Sequence, residues 1–92
     1  IPYSVSKSAI INLTKYLAVY WAKNNVRVNN LILGGMKNKQ NKTFIKNYSN
    51  RVPFGRMAKI NEYNGPILFL SSNLSSYMTG SNLVVDGGWT SI

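Results

Sequence analysis

The sequence contains no cysteine and no histidine, and only two acidic residues, Glu62 and Asp86, against eleven lysines and arginines. The missing cysteines exclude disulfides and thiolate catalysis. The missing histidines remove imidazole acid/base chemistry and any histidine-based nucleophile triad, and the two absences together leave zinc without its usual ligands. No apolar run approaches the ~20 residues needed to span a bilayer, and no signal-peptide pattern opens the chain. No membrane role is expected, and the expected setting is cytoplasmic.

What is present can build a core. Apolar residues make up 45% of the chain, with two Trp, six Tyr and three Phe, a composition unlike that of a disordered segment. Ninety-two residues suit one small domain or a piece of a larger one. The chain opens Ile1-Pro2-Tyr3 with no initiating methionine and no run-in before its first helix, so residues 1–92 read as a single incomplete domain. The net charge of +9 invites a nucleic-acid reading. The basic residues are nevertheless spread from Lys7 to Lys59, densest at Lys37, Lys39, Lys42 and Lys46, and no nucleic-acid motif accompanies them. A solvated basic face is the favoured reading, with no specific nucleic-acid partner.

Hydrophobic periodicity predicts one long helix from residue 3 to about 24, with Ile10, Leu13, Leu17, Tyr20 and Trp21 at helical spacing. Tyr16, Ala9, Val19, Ile11 and Ala18 widen its apolar stripe. Only Ser4, Ser8, Asn12 and Lys15 are left as a polar arc, which predicts cover on two sides, one a sheet and the other a partner subunit. Lys23 suits the last turn, and Asn24-Asn25 the stop. Val26 to Leu33 is predicted as a strand ended by Gly34-Gly35, its apolar end fitting a buried parallel position. Residues 37–58 read as an excursion above the sheet with one or two short helices, including a segment with Phe44, Ile45 and Tyr48; long connections of this kind tend to carry substrate contacts. A second helix is predicted from about Asn61 to Ser72, with Ile67, Leu68 and Leu70 inward and its regular part starting near Pro66. A loop from Ser75 to Gly80 and a last strand, Asn82 to Asp86, complete an α/β order.

One pair of residues carries chemistry. Tyr3 and Lys7 are four apart, so on a helix they stack one turn above the other. A free tyrosine releases its proton near pH ~10, and a fixed cation nearby favours the phenolate, so the pair is a candidate general acid/base. By itself the spacing fits an aromatic anchor beside a solvated lysine better.

The surrounding motifs change that balance. Tyr3-Ser4-Val5-Ser6-Lys7-Ser8-Ala9 opens the long helix, and Val26-Arg27-Val28-Asn29 leads into a strand ending in glycine. Arg51-Val52-Pro53-Phe54-Gly55-Arg56-Met57, Tyr77-Met78-Thr79-Gly80 and Val84-Val85-Asp86-Gly87-Gly88 follow in order. Together they resemble the C-terminal portion of a short-chain dehydrogenase/reductase. The resemblance spans essentially the whole chain and implies the last two strands of a Rossmann-like doubly wound sheet with their helices.

It also implies an enzyme using NAD or NADP to interconvert a hydroxyl and a carbonyl on a small-molecule substrate. By resemblance, Tyr3 exchanges the proton, and Lys7 holds the nicotinamide ribose and assists Tyr3. Leu33, Gly34, Gly35, Met36 and Asn38 form the cofactor wall after the strand. Leu33 stands where the family has proline and Asn38 where it has threonine. The glycine-rich phosphate loop and the family's serine and asparagine would lie before Ile1, so the 92 residues alone are expected to be inactive. The family's habit of pairing through the long helix, last strand and tail implies a homo-oligomer, dimer or tetramer, when intact. The stretches from Gly34 to Asn41 and from Val85 to Thr90 look most similar to bacterial members associated with surface-sugar and flagellin modification. The alternative is a non-catalytic remnant or dimerising module of the same fold.

Overall fold

The computed structural model describes residues 2–92. Helix α1 runs Pro2–Trp21. Pro2 suits its first position, where a helix has no use for the missing N–H. The helix tightens into a 3₁₀ turn, Ala22–Asn24, and stops at Asn25, which takes a left-handed φ of 58° and returns its N–H to Ala22 O at 3.1 Å. Asparagine is among the few side chains that tolerate this conformation, so the predicted stop is where the structure ends the helix.

Strand β1 is Asn30–Leu33 and strand β2 is Asn82–Val85. They pair in parallel with Asn30 opposite Asn82 and Leu33 opposite Val85. The predicted Val26–Leu33 strand is therefore half its expected length, and hydrogen bonding gives the reason. Arg27 donates through Nη2 to Leu70 O at 3.0 Å and Ser72 O at 3.2 Å. Val28 N donates to Thr79 Oγ1, Gly80 N donates to Val28 O, and Asn29 Nδ2 donates to Met78 O. Residues 27–29 are thus committed to the 70–80 segment, and ladder pairing starts only at Asn30.

The crossover between the strands carries helices α2, Lys42–Arg51, and α3, Asn64–Ser71. Asn41 caps α2, its side chain accepting from Phe44 N at 2.7 Å. A 3₁₀ turn, Ile60–Tyr63, leads into α3, and Pro66 falls in the first turn, where no helical N–H is needed. The inward face expected for α3 is formed only in part, with Leu70 partly covered. Ile67 is 48% and Leu68 69% exposed, because α3 packs chiefly against the 3₁₀ turns on either side of it. At its end, the buried Ser75 places Oγ 2.7 Å from Phe69 O and 3.1 Å from Leu70 O, satisfying carbonyls the helix leaves free.

Apart from Ser75, burial is concentrated at two places. Thr14 and Ala18 are covered on α1, where Gly80, at φ 73°, crosses close to Ala18. Val52, Met57 and Tyr63 are buried around the C-terminal end of the strands. Of the rest of the apolar stripe of α1, Ile11 and Leu17 are partly covered, whereas Leu13 is 53% and Val19 79% exposed, so the described chain leaves the outer part of the stripe without cover. The radius of gyration, 15.4 Å, exceeds the roughly 12 Å of a compact domain of this length, in keeping with that open helix.

Candidate active site

At the start of α1 the helix geometry does what the spacing predicts. Lys7 Nζ lies 5.4 Å from the centroid of the Tyr3 ring, within cation–π range. Tyr3 is 73% exposed, and Lys7 is exposed beside it. Both side chains are open to a ligand approaching the first two turns of the helix.

The glycine pair after β1 lies at the C-terminal edge of the parallel strands, where ligands of open α/β sheets bind. Its backbone is held closely. Gly34 N donates to Val85 O at 2.9 Å, and Tyr63 Oη donates to Gly34 O at 2.9 Å. Burial pushes the Tyr63 phenol up, which keeps it a donor. Gly35 N donates to Tyr48 Oη at 2.6 Å, and Ala58 N donates to Gly35 O at 3.0 Å. Neither glycine has room for a side chain: a Cβ on Gly34 would lie 2.8 Å from Asp86 Cα, and one on Gly35 would lie 2.5 Å from Tyr48 Cζ.

Met36 forms an isolated parallel bridge with Ala58. Gln40 Nε2 donates to Met36 O at 3.0 Å, and Asn38 N donates to Gln40 Oε1 at 2.7 Å. Among the described residues the Met36 N–H and the Asn38 side chain have no hydrogen-bond partner, so this wall offers one backbone donor and one carboxamide. Leu33 is half exposed above it. A cavity of about 90 Å³ lies behind the wall, lined by Gly34, Gly35, Tyr48, Tyr63, Asp86 and their neighbours, and neither Tyr3 nor Lys7 reaches it. The Tyr48 and Tyr63 hydroxyls that line it are already paired, which makes it a packing feature rather than a reaction chamber.

The sequence reading missed the residues that support this wall. Tyr48 is stacked on Trp89 with ring centroids 4.7 Å apart and planes 15° apart, and on Phe44 at 6.3 Å. Arg51 lies over Trp89 at 5.5 Å. The tail bearing Trp89 is tied by Asp86, which accepts from Gly88 N at 3.0 Å, Thr90 N at 3.1 Å and Thr90 Oγ1 at 2.7 Å. The Thr90 hydroxyl and the backbone N–H donors hold the Asp86 carboxyl below the usual range. The Val85-Asp86-Gly87-Gly88 motif thus has an internal structural purpose. Gly87 and Gly88 adopt φ of 64° and 94°, packed on Val52 and Pro53 respectively. Glu62 meets Arg56 in a two-point ion pair at 2.6 and 3.0 Å and also accepts from Lys59 N. The acid-plus-glycine run was a visible signal for the tail clasp. Nothing in the spacing of Tyr48 marked it as a partner for Gly35.

Comparison with known proteins places these features in a family. The family described as enoyl-(acyl carrier protein) reductase matches residues 2–90. The D-arabinitol 2-dehydrogenase of Candida albicans is 41% identical over 95 residues, covering 95% of this chain and 34% of that protein. A short-chain dehydrogenase from Leptospira borgpetersenii, solved with bound NAD+, is 45% identical with a TM-score of 0.90, covering 96% of this chain and 35% of that one. A gluconate 5-dehydrogenase from Burkholderia cenocepacia, solved with NADP and tartrate, is 32% identical with a TM-score of 0.90, covering 99% and 38%. The chain spans about a third of the length of the relatives it matches. The fold is that of the α/β Rossmann-like neighbours, and with a family match across nearly all of its length the chain belongs to the short-chain dehydrogenase/reductase family.

Proposed function

We propose that this chain is the C-terminal part of an NAD(P)-dependent oxidoreductase that interconverts a hydroxyl and a carbonyl on a small, sugar-like metabolite. The observation that carries the reading is the Tyr3–Lys7 contact, 5.4 Å from ammonium to ring centroid on an open helix start, in a chain of this family. When bound, the nicotinamide supplies or takes up the hydride. Tyr3 gives a proton to the carbonyl oxygen in reduction and takes one from the hydroxyl in oxidation. Lys7, one turn further along the helix, holds the ribose.

The strand-end residues fit the cofactor's nicotinamide end. A carboxamide needs one donor for its oxygen and one acceptor for its N–H groups. The Met36 N–H is a donor and the Asn38 side chain supplies an acceptor, while Leu33, Gly34 and Gly35 form the wall beside them. The phosphates are another matter. Binding a pyrophosphate takes several free backbone N–H groups at a glycine-rich turn, and the Gly34 and Gly35 N–H groups are both already used. Among the described residues these two glycines therefore offer no phosphate cradle, and the isolated chain is proposed to be inactive.

Substrate class follows from the relatives named for a polyol and a sugar acid. The narrower reading, a sugar of surface-glycan biosynthesis, rests on the stretches Gly34–Asn41 and Val85–Thr90. The full-length protein is proposed to act in the cytoplasm as a homo-oligomer joined through α1 and the tail. No helix among the described residues is long and apolar enough to cross a membrane.

The test is NAD(P)H-linked turnover by the full-length protein on a panel of polyols, ketoses, sugar acids, nucleotide-activated amino sugars and fatty-acyl ketones. Turnover of a sugar-like substrate that disappears in Tyr3→Phe is the expected result. Activity confined to fatty-acyl ketones overturns the substrate class. Absence of turnover on every substrate, with the oligomer intact, favours the non-catalytic dimerising module.

A further inference from the structure

We infer that Tyr48 is a positioning residue for the nicotinamide wall, and that Trp89, stacked on it, makes the chain's tail part of that wall's support. The inference rests on the dinucleotide reading above and deepens it.

The argument begins with peptide geometry. In a planar trans peptide the carbonyl and the N–H point in opposite directions. The peptide joining Gly35 to Met36 carries Gly35 O on one side, held by Ala58 N at 3.0 Å. The Met36 N–H is therefore aimed to the other side, and its direction is only as fixed as Gly35 itself. Glycine has the widest backbone freedom of any residue, and two in succession after β1 would swing unless restrained.

Tyr48 is the restraint at the second glycine. Its hydroxyl accepts the Gly35 N–H at 2.6 Å, and its ring fills the space a Gly35 side chain would need, 2.5 Å from an ideal Cβ. The ring is fixed in turn by Trp89 at 4.7 Å and Phe44 at 6.3 Å. Trp89 cannot drift, because Trp89 N donates to Asp86 O, Arg51 covers the indole, and Asp86 clasps Gly88 and Thr90 on either side of it. Asp86 is also the residue against which Gly34 is packed. The tail thus grips both glycines, Gly34 directly and Gly35 through Tyr48. The consequence falls on the next residue, Met36, whose N–H is the open donor of the wall.

The experiment compares two ligands on the full-length protein, NAD(P)H and the matching ADP-ribose or its 2′-phosphate, which lacks nicotinamide. Affinities are read by calorimetry, and kcat and KM are read separately. Tyr48→Phe deletes the hydroxyl but keeps the stack on Trp89. It is expected to weaken NAD(P)H by about tenfold, the scale of one hydrogen bond, and to leave ADP-ribose unchanged. Trp89→Leu keeps the hydroxyl and loosens the ring, with a smaller selective loss expected; it also serves if Tyr48→Phe does not fold. Equal weakening of both ligands, or of neither, in the folded variants overturns the inference and leaves Tyr48 as packing. Wild-type protein that binds neither ligand overturns the dinucleotide reading itself, and the inference with it.

Discussion

The Tyr48 hydroxyl accepts the Gly35 N–H at 2.6 Å while its ring occupies the place of a Gly35 side chain. Two residues thirteen positions apart are thereby locked in both polar and steric terms. Gly35→Ala is expected to destabilise the chain by ~1–3 kcal/mol, the usual cost of overpacking. Urea unfolding followed by circular dichroism measures it. Combining Gly35→Ala with Tyr48→Ala should cost less than the sum of the two single changes, since the clash disappears with the ring.

Tyr3 is expected to matter for chemistry and not for stability. Its side chain is largely open, and surface substitutions away from packed features usually stay within about 0.5 kcal/mol. In the full-length protein, Tyr3→Phe should lower kcat by ~10²–10⁴, the range of a positioned acid/base, with the melting temperature nearly unchanged. Lys7→Met should lower it in the same direction. A Tyr3→Phe enzyme with wild-type kcat would remove Tyr3 from the mechanism.

Acid should weaken the chain through Glu62. The hydrogen bonds from Arg56 bring its pKa from 4.5 to about 2. A carboxyl whose folded pKa is depressed contributes stability that is present above its unfolded pKa and lost as pH falls through the folded one. Stability should therefore decline between about pH 4.5 and pH 2. Asp86, also depressed, acts with the same sign. Unfolding midpoints measured across that window should fall less steeply in Glu62→Gln than in the parent, and added salt should reduce the difference, because the pair is exposed.

Asp86→Ala should free the tail. Three hydrogen bonds to Gly88 and Thr90 are lost, and Trp89 loses its fixed place on Tyr48. In the 92-residue chain with Trp21→Phe, where Trp89 is the one remaining indole, emission should move to the red and anisotropy should fall. Thr90→Val, which removes only the hydroxyl contact, should give a smaller change.

The open face of α1 leads to a prediction about assembly. Leu13, Tyr16, Val19 and Tyr20 are all more than half exposed, and contiguous apolar surface of this kind marks an interaction site. Val19→Arg in the full-length protein should lower its mass by light scattering to that of a smaller assembly. A wild-type monomer would instead assign this face to packing within the protein.

Residue spacing was enough for whatever depends on neighbours along the chain. The Tyr3–Lys7 contact follows from helical periodicity, as does the stop at Asn25, where asparagine accepts a left-handed φ. The strand–crossover–strand order was legible from apolar runs punctuated by Gly34-Gly35 and Gly87-Gly88. The misjudged features involve distant partners. Val26–Asn29 alternates like a strand, yet Arg27, Val28 and Asn29 are bound by the 70–80 segment. Ile67 and Leu68 read as inward residues, yet the described chain leaves them open.

By itself, then, the sequence determined that Tyr3 and Lys7 meet, because two residues four apart on a helix are a local arrangement that any folded version of the segment reproduces, and the order of its motifs supplied the resemblance that makes the pair a candidate acid/base. Only the tertiary structure decided what supports the glycine pair after β1. Gly34 meets Asp86 and Gly35 meets Tyr48 across long stretches of chain. Such contacts arise when the crossover and tail close over the strand ends, and no periodicity in the sequence records which surfaces will then meet.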